Sequence, residues 1–268
     1  MENEILKCLQ EEKQSRLKGG LYHYTQIKFA YNTNRIEGSR LTEDQTRYIY
    51  ETFTINTGEK ETANVNDIIE TVNHFRCFDY MLGVAKEPLT EDIIKEFHKI
   101  LKQGSIDSLK EWFKIGDYKQ KPNFVGDMET VNPLKVKENM ELLLMNYSNK
   151  ETHNINDIIN FHYNFEKIHP FQDGNGRVGR LIMFKECLKN NITPFIIENE
   201  YKQFYYMGLK EYPKTALRLN DTCLFGQDKY TEAVNYFNNN GGYINSNNKE
   251  YVNNNNISEM TNKINEEK

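Results

Sequence analysis

The sequence contains only four cysteines, and their positions match neither a metal site nor a disulfide framework. They form no C-x-x-C pair, and no histidine lies at ligand spacing from any of them. A zinc site and a disulfide scaffold are therefore excluded as organising features. We predict that all four are structural thiols, which behave as small apolar side chains. They are Cys8, Cys77, Cys187 and Cys223.

The sequence also lacks any long hydrophobic run. No stretch reaches the length of a membrane-spanning helix, and no apolar segment of signal-peptide type opens the chain. We therefore expect a cytoplasmic protein without a membrane partner. The 268 residues are enough for one domain with a sizeable core and some appended segments.

An excess of positive charge is absent as well. Lysine and arginine number 34 against 39 acidic residues, which gives a formal net charge of −5. Neutralising a nucleic-acid backbone requires a basic surface, so this balance argues against nucleic acid as a partner. Any site for a phosphorylated ligand must then be basic only locally.

Apolar residues do recur at helical spacing along most of the chain. Residues 1–20 are only weakly helical, and residues 121–131 break the period around a Gly-Asp turn, which predicts a β-hairpin. The asparagine-rich residues 238–268 have little apolar surface, and we expect them to be mobile. The predicted helices cover residues 22–37, 41–54, 62–84, 90–104, 132–147, 155–168, 176–188, 198–212 and 228–237.

One stretch of twelve residues, from His169 to Arg180, carries most of the chemical information. It joins two predicted helices and brings together a histidine, an aspartate, three glycines and two arginines. Free backbone N–H groups at a helix start, with the positive end of the helix dipole behind them, bind anions such as phosphate. Glycines there let a phosphate approach the backbone. Arg177 and Arg180 lie on one helix face, where guanidinium groups can bind phosphate oxygens.

Three other interpretations were weighed. Gly174, Gly176 and Gly179 spell the G-x-G-x-x-G pattern of dinucleotide folds, but no buried apolar strand precedes them. A calcium loop fails because Arg177 and Val178 stand where an oxygen ligand and a glycine are required. An ordinary loop with a capping histidine remains open.

The stretch resembles the H-P-F-x-[DE]-G-N-G-R-x-x-R motif of the Fic family, and no defining position departs from it. Members of this family transfer the AMP part of ATP to a protein hydroxyl. The resemblance implies that His169 is the catalytic base and that Asp173 holds Mg²⁺. Phe171 would face the core. The implied nucleotide-binding residues are Asp173, Gly174, Asn175, Gly176, Arg177, Val178, Gly179 and Arg180.

A second, shorter motif lies before this stretch. Residues 33–38 read [ST]-x-x-x-E-[GN], which resembles the inhibitory motif of the same family. The resemblance implies that Thr33 and Glu37 belong to an inhibitory helix and that Glu37 pairs with Arg180. A carboxylate bound there would exclude the γ-phosphate of ATP by occupancy and by charge repulsion.

The resemblance also assigns the predicted hairpin and an aromatic helix. The hairpin would be a flap that covers ATP and pairs with the backbone of the target protein. Its implied contacts with the nucleotide are made by Asn123, Phe124, Val125 and Gly126. In the helix over 198–212, Tyr205 or Tyr206 would stack on adenine, and we favour Tyr205.

We therefore predict an all-α, Fic-type helical domain with a β-hairpin flap and an N-terminal inhibitory helix. Residues 1–60 would form the inhibitory region, residues 61–215 the catalytic core, and residues 216–268 a C-terminal helix and tail. The predicted activity is AMP transfer from ATP to a Ser, Thr or Tyr hydroxyl, with Mg²⁺ required.

Two alternatives to AMP transfer remain: removal of AMP at the same site, and a nucleotide-sensing interaction module without turnover. The expected partners are a target protein and the chain itself, through self-modification. A homodimer that steadies the inhibitory helix is a further hypothesis.

Overall fold

The computed structural model describes residues 3–58, 62–125 and 128–239, with the backbone alone at 125, 128 and 129. These residues are organised almost entirely as helices, which confirms the all-α prediction. The α-helices are α1 (Glu4–Ser15), α2 (Leu21–Ile36), α3 (Glu43–Thr52), α4 (Val65–Gly83), α5 (Glu91–Lys102), α6 (Pro133–Ser148), α7 (Ile155–Ile168), α8 (Asn175–Lys189), α9 (Lys202–Glu211) and α10 (Leu217–Asn239). Short 3-10 helices span Ile106–Leu109 and Asn199–Tyr201.

Helix α8 lies at the centre of the fold. Its residues from 175 to 188 are all buried, so every face of this helix is covered by other elements. Helices α2, α4, α5 and α7 all pack against it. The main apolar core also includes side chains from α1 and α10, so the three predicted regions of the chain share one core. Residues that begin or precede α8 are therefore held by a rigid scaffold.

Polar side chains cap several helix starts. The Asn154 side chain accepts a bond from the backbone N–H of Asp157, and the Asp157 carboxylate accepts one from the backbone of Asn154. This reciprocal pair satisfies two otherwise unpaired donors at the start of α7. Thr42, Thr90 and Asn132 cap α3, α5 and α6 in a similar way.

The two ends of the described chain are more helical than the sequence suggests. Helix α1 is regular, and its buried Glu12 accepts a bond of 2.7 Å from the backbone N–H of Tyr22. Glu12 thus caps α2 from a neighbouring helix, because Gly20 at the N-cap has no side chain to do so. Helix α10 starts at Leu217, eleven residues before the predicted start, because its buried residues pack on the core. The predicted mobile tail lies outside the described residues from 240 onward.

The segment with the predicted hairpin contains two strands of two residues each, β1 (Phe124–Val125) and β2 (Met128–Glu129). They pair antiparallel, with Phe124 opposite Glu129 and Val125 opposite Met128. Residues 126 and 127, which connect them, lie outside the described residues. The role of this segment as a flap over a nucleotide stays a prediction.

All four cysteines are buried and none of them forms a disulfide bond, as predicted for structural thiols. Within the described ranges, no helix is both long and apolar enough to cross a membrane.

Candidate active site

The motif stretch forms a tight loop between α7 and α8. His169 ends α7 in the left-handed region, at φ 52°, and its backbone N–H is bonded to the carbonyl of Phe165. Gly174 precedes α8, also in the left-handed region, at φ 82°. A side chain is disfavoured there, which gives a local reason for a glycine at this position. The helix starts at Asn175, one residue before the predicted start. His169 is thus a capping residue as well as the candidate base.

The interior of this loop is held by Asn175 and Phe171. The Asn175 side chain accepts a bond of 2.8 Å from the backbone N–H of Phe171 and donates one of 2.9 Å to its carbonyl. Asn175 is buried, so its amide braces the loop, and only its backbone is placed to contact a ligand. Phe171 is fully buried and stacks on His98 with ring centroids 4.0 Å apart, which confirms that it faces the core.

The start of α8 has the geometry of an anion site, and a carboxylate already lies in it. A Cβ atom added at Gly176 would overlap Oε1 of Glu37, so the glycine lets this carboxylate lie against the start of α8. The opening N–H groups of a helix have no acceptor within the helix. Glu37 therefore lies where the sequence predicts that a phosphate binds.

Arg180 joins this carboxylate to helix α2. Its Nη2 donates to Oε1 of Glu37 at 2.6 Å and to the Thr33 carbonyl at 3.1 Å, and its Nε donates to the Thr33 hydroxyl at 2.5 Å. The predicted Glu37–Arg180 ion pair is therefore present, and Thr33 contributes two further acceptors. The Arg180 side chain is 2% exposed, whereas that of Glu37 is 30% exposed.

His169 lies in a partly enclosed position next to this pair. Its side chain is 18% exposed, and burial together with the nearby Lys119 ammonium lowers its pKa to about 4. The imidazole is therefore neutral at pH 7, as a proton acceptor must be. Glu166 lies one turn earlier on α7, and its Oε2 is 3.8 Å from Nδ1 of His169. Burial and the negative charge of Glu37 raise the pKa of Glu166 to about 8.

Asp173 lies at the exposed side of an otherwise buried ionic cluster that the sequence alone did not predict. Its Oδ2 accepts from Nζ of Lys102 at 2.7 Å and from Nη2 of Arg177 at 3.0 Å. Glu70 on α4 also binds both Lys102 and Arg177. Burial alone would raise the pKa of Asp173, but Arg177 and Lys102 lower it well below its usual range. Asp173 is therefore ionised at neutral pH.

This cluster changes the role expected of Arg177. Both of its terminal nitrogens are bonded to carboxylates, those of Glu70 and Asp173, and its side chain is 4% exposed. Arg177 is thus placed to hold Asp173 and not to face a phosphate in this conformation. A signal for Glu70 was present in the sequence, because it falls on the same helical face of α4 as the buried His74 and Phe78.

Val178 and Gly179 lie in the core and do not face the anion site. The backbone N–H of Val178 is bonded to the Gly174 carbonyl, and its side chain is fully buried. A Cβ atom added at Gly179 would lie 2.7 Å from His162 and 2.8 Å from Glu166. These two assignments to the nucleotide are therefore corrected: both residues let α7 and α8 pack closely.

The hairpin segment is fastened to the motif loop by its polar residues. Asn123 donates to the Phe171 carbonyl at 3.0 Å and accepts from Nζ of Lys119 at 2.7 Å. The backbone N–H of Lys119 is bonded to the Pro170 carbonyl. Asn123 thus holds the hairpin in place, and Phe124 is 63% exposed beside it. The predicted contacts of the Val125 side chain and of Gly126 lie outside the described residues.

The preference for Tyr205 as the residue that stacks on adenine is wrong for this conformation. Its side chain is 1% exposed, and its hydroxyl is 2.7 Å from Nε2 of the buried His162, so neither ring face is open to a base. Tyr206 is 43% exposed, and its hydroxyl donates to the Ile36 carbonyl at the end of the inhibitory helix. Tyr206 is the better candidate of the two.

The residues around Asp173 fit a divalent cation bound together with phosphates. The Asp173 side chain is 49% exposed and ionised, and a carboxylate is a usual ligand of Mg²⁺. The neighbouring Glu70 and Asp107 side chains are only 12% and 15% exposed. Asp173 is therefore the carboxylate of this group that is placed to hold Mg²⁺.

Comparison with known proteins agrees with this geometry. Residues 88–187 match the model of the Fic/DOC family. The chain is 28% identical over 183 residues to protein adenylyltransferase Fic of Drosophila ananassae and 29% identical over 184 residues to that of Nematostella vectensis. These alignments cover 67% and 68% of the chain, but only 35% and 42% of those two proteins. The chain thus spans well under half the length of these relatives.

Solved structures show the same fold. A Fic domain containing signaling protein from Bacteroides thetaiotaomicron superposes with a TM-score of 0.68 at 23% identity, covering 87% of this chain and 94% of that one. Fic-1 from C. elegans, residues 134–508, gives a TM-score of 0.69 at 18% identity, covering 88% and 72%. At these identities the likeness concerns the fold alone. Residues 88–187, which include the intact motif, thus match the Fic/DOC family, and the described fold is similar to that of solved Fic proteins.

Proposed function

We propose that this chain is a protein adenylyltransferase that transfers AMP from ATP to a Ser, Thr or Tyr hydroxyl of a protein and is held inactive by Glu37. The observation that carries the proposal is the position of the Glu37 carboxylate. It lies in the anion site over Gly176 and is paired with Arg180. The name protein adenylyltransferase, printed for the similar relatives, supports the choice of reaction.

In the proposed reaction the target hydroxyl oxygen attacks the α-phosphorus of ATP. A new phosphorus–oxygen bond forms to the target, the bond from the α-phosphorus to the bridging oxygen breaks, and pyrophosphate leaves. His169 takes the proton of the attacking hydroxyl. Its pKa of about 4 keeps the ring neutral, so it is ready to accept that proton across the neutral pH range.

The protein supplies positive potential where the phosphates would lie. The opening N–H groups of α8 and the positive end of its dipole favour negative charge at this point. Arg180 offers a guanidinium once Glu37 has left it. Asp173 would hold Mg²⁺, which neutralises negative charge on the phosphates when it is bound with the nucleotide.

Inhibition follows from competition at Arg180. While Glu37 is bound to Arg180, a γ-phosphate cannot bind this arginine and is repelled by the carboxylate. ATP would then bind with its α-phosphate displaced from the line of attack. A small displacement of this kind costs about 10²-fold in rate. In this proposal the target protein approaches along the hairpin segment, where β1 and β2 would offer backbone pairing.

The experiment follows labelled ATP into protein. The chain with Glu37→Gly is incubated with a cell lysate, Mg²⁺ and ATP labelled either at the α- or at the γ-phosphorus. We expect incorporation that depends on the added chain from α-labelled ATP alone, since the γ-label leaves with pyrophosphate, and lysate without the chain gives the background. Adding His169→Ala should reduce incorporation by about 10²- to 10⁴-fold while ATP binding, measured by calorimetry, stays within a few fold.

Three outcomes would overturn the proposal. Incorporation of γ-label above that of lysate without the chain would indicate that the chain phosphorylates its target. Unchanged incorporation after His169→Ala would remove the histidine as the base. ATP binding without transfer to any protein would favour AMP removal or a nucleotide sensor, and release of AMP from a pre-modified lysate would distinguish these two.

A further inference from the structure

The carboxylates of Glu70, Asp107 and Asp173 form a compact group, which we call the carboxylate cluster. One oxygen of each lies within 4.8 Å of the others. These residues come from α4, from the 3-10 helix after α5, and from the motif loop. Three carboxylate oxygens at this spacing would normally suggest a site for a divalent cation.

A positive charge of the chain itself already lies in the cluster. Nζ of Lys102, at the last residue of α5, is 2.7 Å from Oδ2 of Asp107, 2.7 Å from Oδ2 of Asp173, and also bonded to Oε1 of Glu70. An ammonium group has three donors, and here each has a carboxylate acceptor. The Lys102 side chain is 0% exposed, so its ammonium group is shielded from solvent.

The same contacts leave Asp173 with a limited capacity for metal. Lys102 and Arg177 both bond to its Oδ2, so Oδ1 is the oxygen that neither of these cations holds. The Asp173 side chain is 49% exposed, whereas those of Glu70 and Asp107 are 12% and 15% exposed. Of the three carboxylates, only that of Asp173 is substantially open to a ligand from outside.

We propose that Lys102 limits the number of divalent ions that this site binds. Its ammonium group takes the place of a metal ion in the carboxylate cluster, so that the cluster binds no divalent ion of its own. Asp173 then offers one oxygen to the single ion that arrives with a nucleotide. The statement about the cluster stands on the contacts alone, and the statement about the nucleotide rests on the proposed function.

The test is a titration with Mn²⁺ in the absence of nucleotide, followed by electron paramagnetic resonance of free Mn²⁺. Lys102→Met keeps the length of the side chain and removes its charge. This variant should gain one Mn²⁺ site at least tenfold tighter than any site of the wild type, since the three carboxylates then lose the one cation that they share. Lys99→Met changes an exposed lysine of the same helix and should gain none. Equal Mn²⁺ binding by wild type and Lys102→Met would overturn the proposal.

A second variant tests the same proposal if Lys102→Met does not fold. Asp107→Asn leaves Lys102 paired with Glu70 and Asp173. If Lys102 fills the cluster, wild type and Asp107→Asn bind nucleotide-free Mn²⁺ equally weakly. A Mn²⁺ site in the wild type that Asp107→Asn abolishes would show that the metal displaces the lysine, and the proposal would be wrong.

A Mn²⁺ titration with nucleotide present tests this inference separately from the proposed function. With a non-hydrolysable ATP analogue, Glu37→Gly should bind one Mn²⁺ per chain, and Glu37→Gly with Lys102→Met should bind two. Two ions in the first variant would overturn the proposal. Failure of the analogue to bind would count against the adenylyltransferase function, while the nucleotide-free titration would still decide the role of Lys102.

Discussion

Two ionic groups meet at the start of α8, and they differ in how they are buried. Glu37 reaches Arg180 from the inhibitory helix and is 30% exposed. Lys102 is fully buried and bound to three carboxylates. A charge with many buried partners cannot leave without stranding them, whereas a partly exposed carboxylate can be exchanged for another anion. The Glu37–Arg180 pair is therefore suited to opening and closing, and we call it the gate. The group of Lys102 with its three carboxylates is suited to a fixed support, and we call it the frame.

The largest expected effect is the difference in stability between removing Glu70, a carboxylate of the frame, and removing Glu37, the carboxylate of the gate. Glu70→Ala leaves Arg177 and Lys102 short of a buried partner and should lower the free energy of unfolding by about 3–5 kcal/mol. Glu37→Ala should cost only about 1–2 kcal/mol, because water can reach the freed bond. Urea unfolding of both variants measures the difference. Losses of equal size would contradict the distinction between the two groups.

A smaller effect concerns Glu166, the buried carboxyl next to the gate. Its pKa of about 8 in the folded chain exceeds the usual value of about 4.3. The folded state therefore holds a proton that the unfolded state has lost, and this contribution to stability disappears as pH rises through 8. Glu166→Gln should make the free energy of unfolding fall less steeply between pH 6.5 and 8.5.

The control for this prediction is Glu141→Gln, which changes an exposed side chain on α6 and should leave the pH dependence as it is. Unfolding in urea at several pH values provides the measurement. A slope that Glu166→Gln does not alter would show that Glu166 is already ionised at neutral pH in the folded protein.

The sequence was sufficient to predict the Glu37–Arg180 ion pair. Its residues belong to two short motifs, and each motif is continuous in the chain, so the resemblance could place Glu37 opposite Arg180. The helix periods predicted the central elements for a similar reason, since the apolar stripe of a helix is a local pattern.

The frame could not be predicted in the same way. Glu70, Lys102 and Asp107 lie in separate segments, and although Glu70 falls on the buried face of its helix, nothing in the sequence pairs it with Lys102 and Asp107. The choice of Tyr205 over Tyr206 failed because distance along the chain does not reveal which of two adjacent residues faces the core. The length of α10 was underestimated because its helix forms by packing on the core, which its own composition only weakly indicates.

The central claim is that Glu37 limits the reaction and not the binding of ATP. The most direct measurement compares wild type with Glu37→Gly at saturating α-labelled ATP, recording the initial rate of incorporation and the ATP affinity of each. The account predicts a rate about 10²-fold higher for Glu37→Gly, with affinities within a few fold of one another. Equal rates from two proteins that both bind ATP would contradict it.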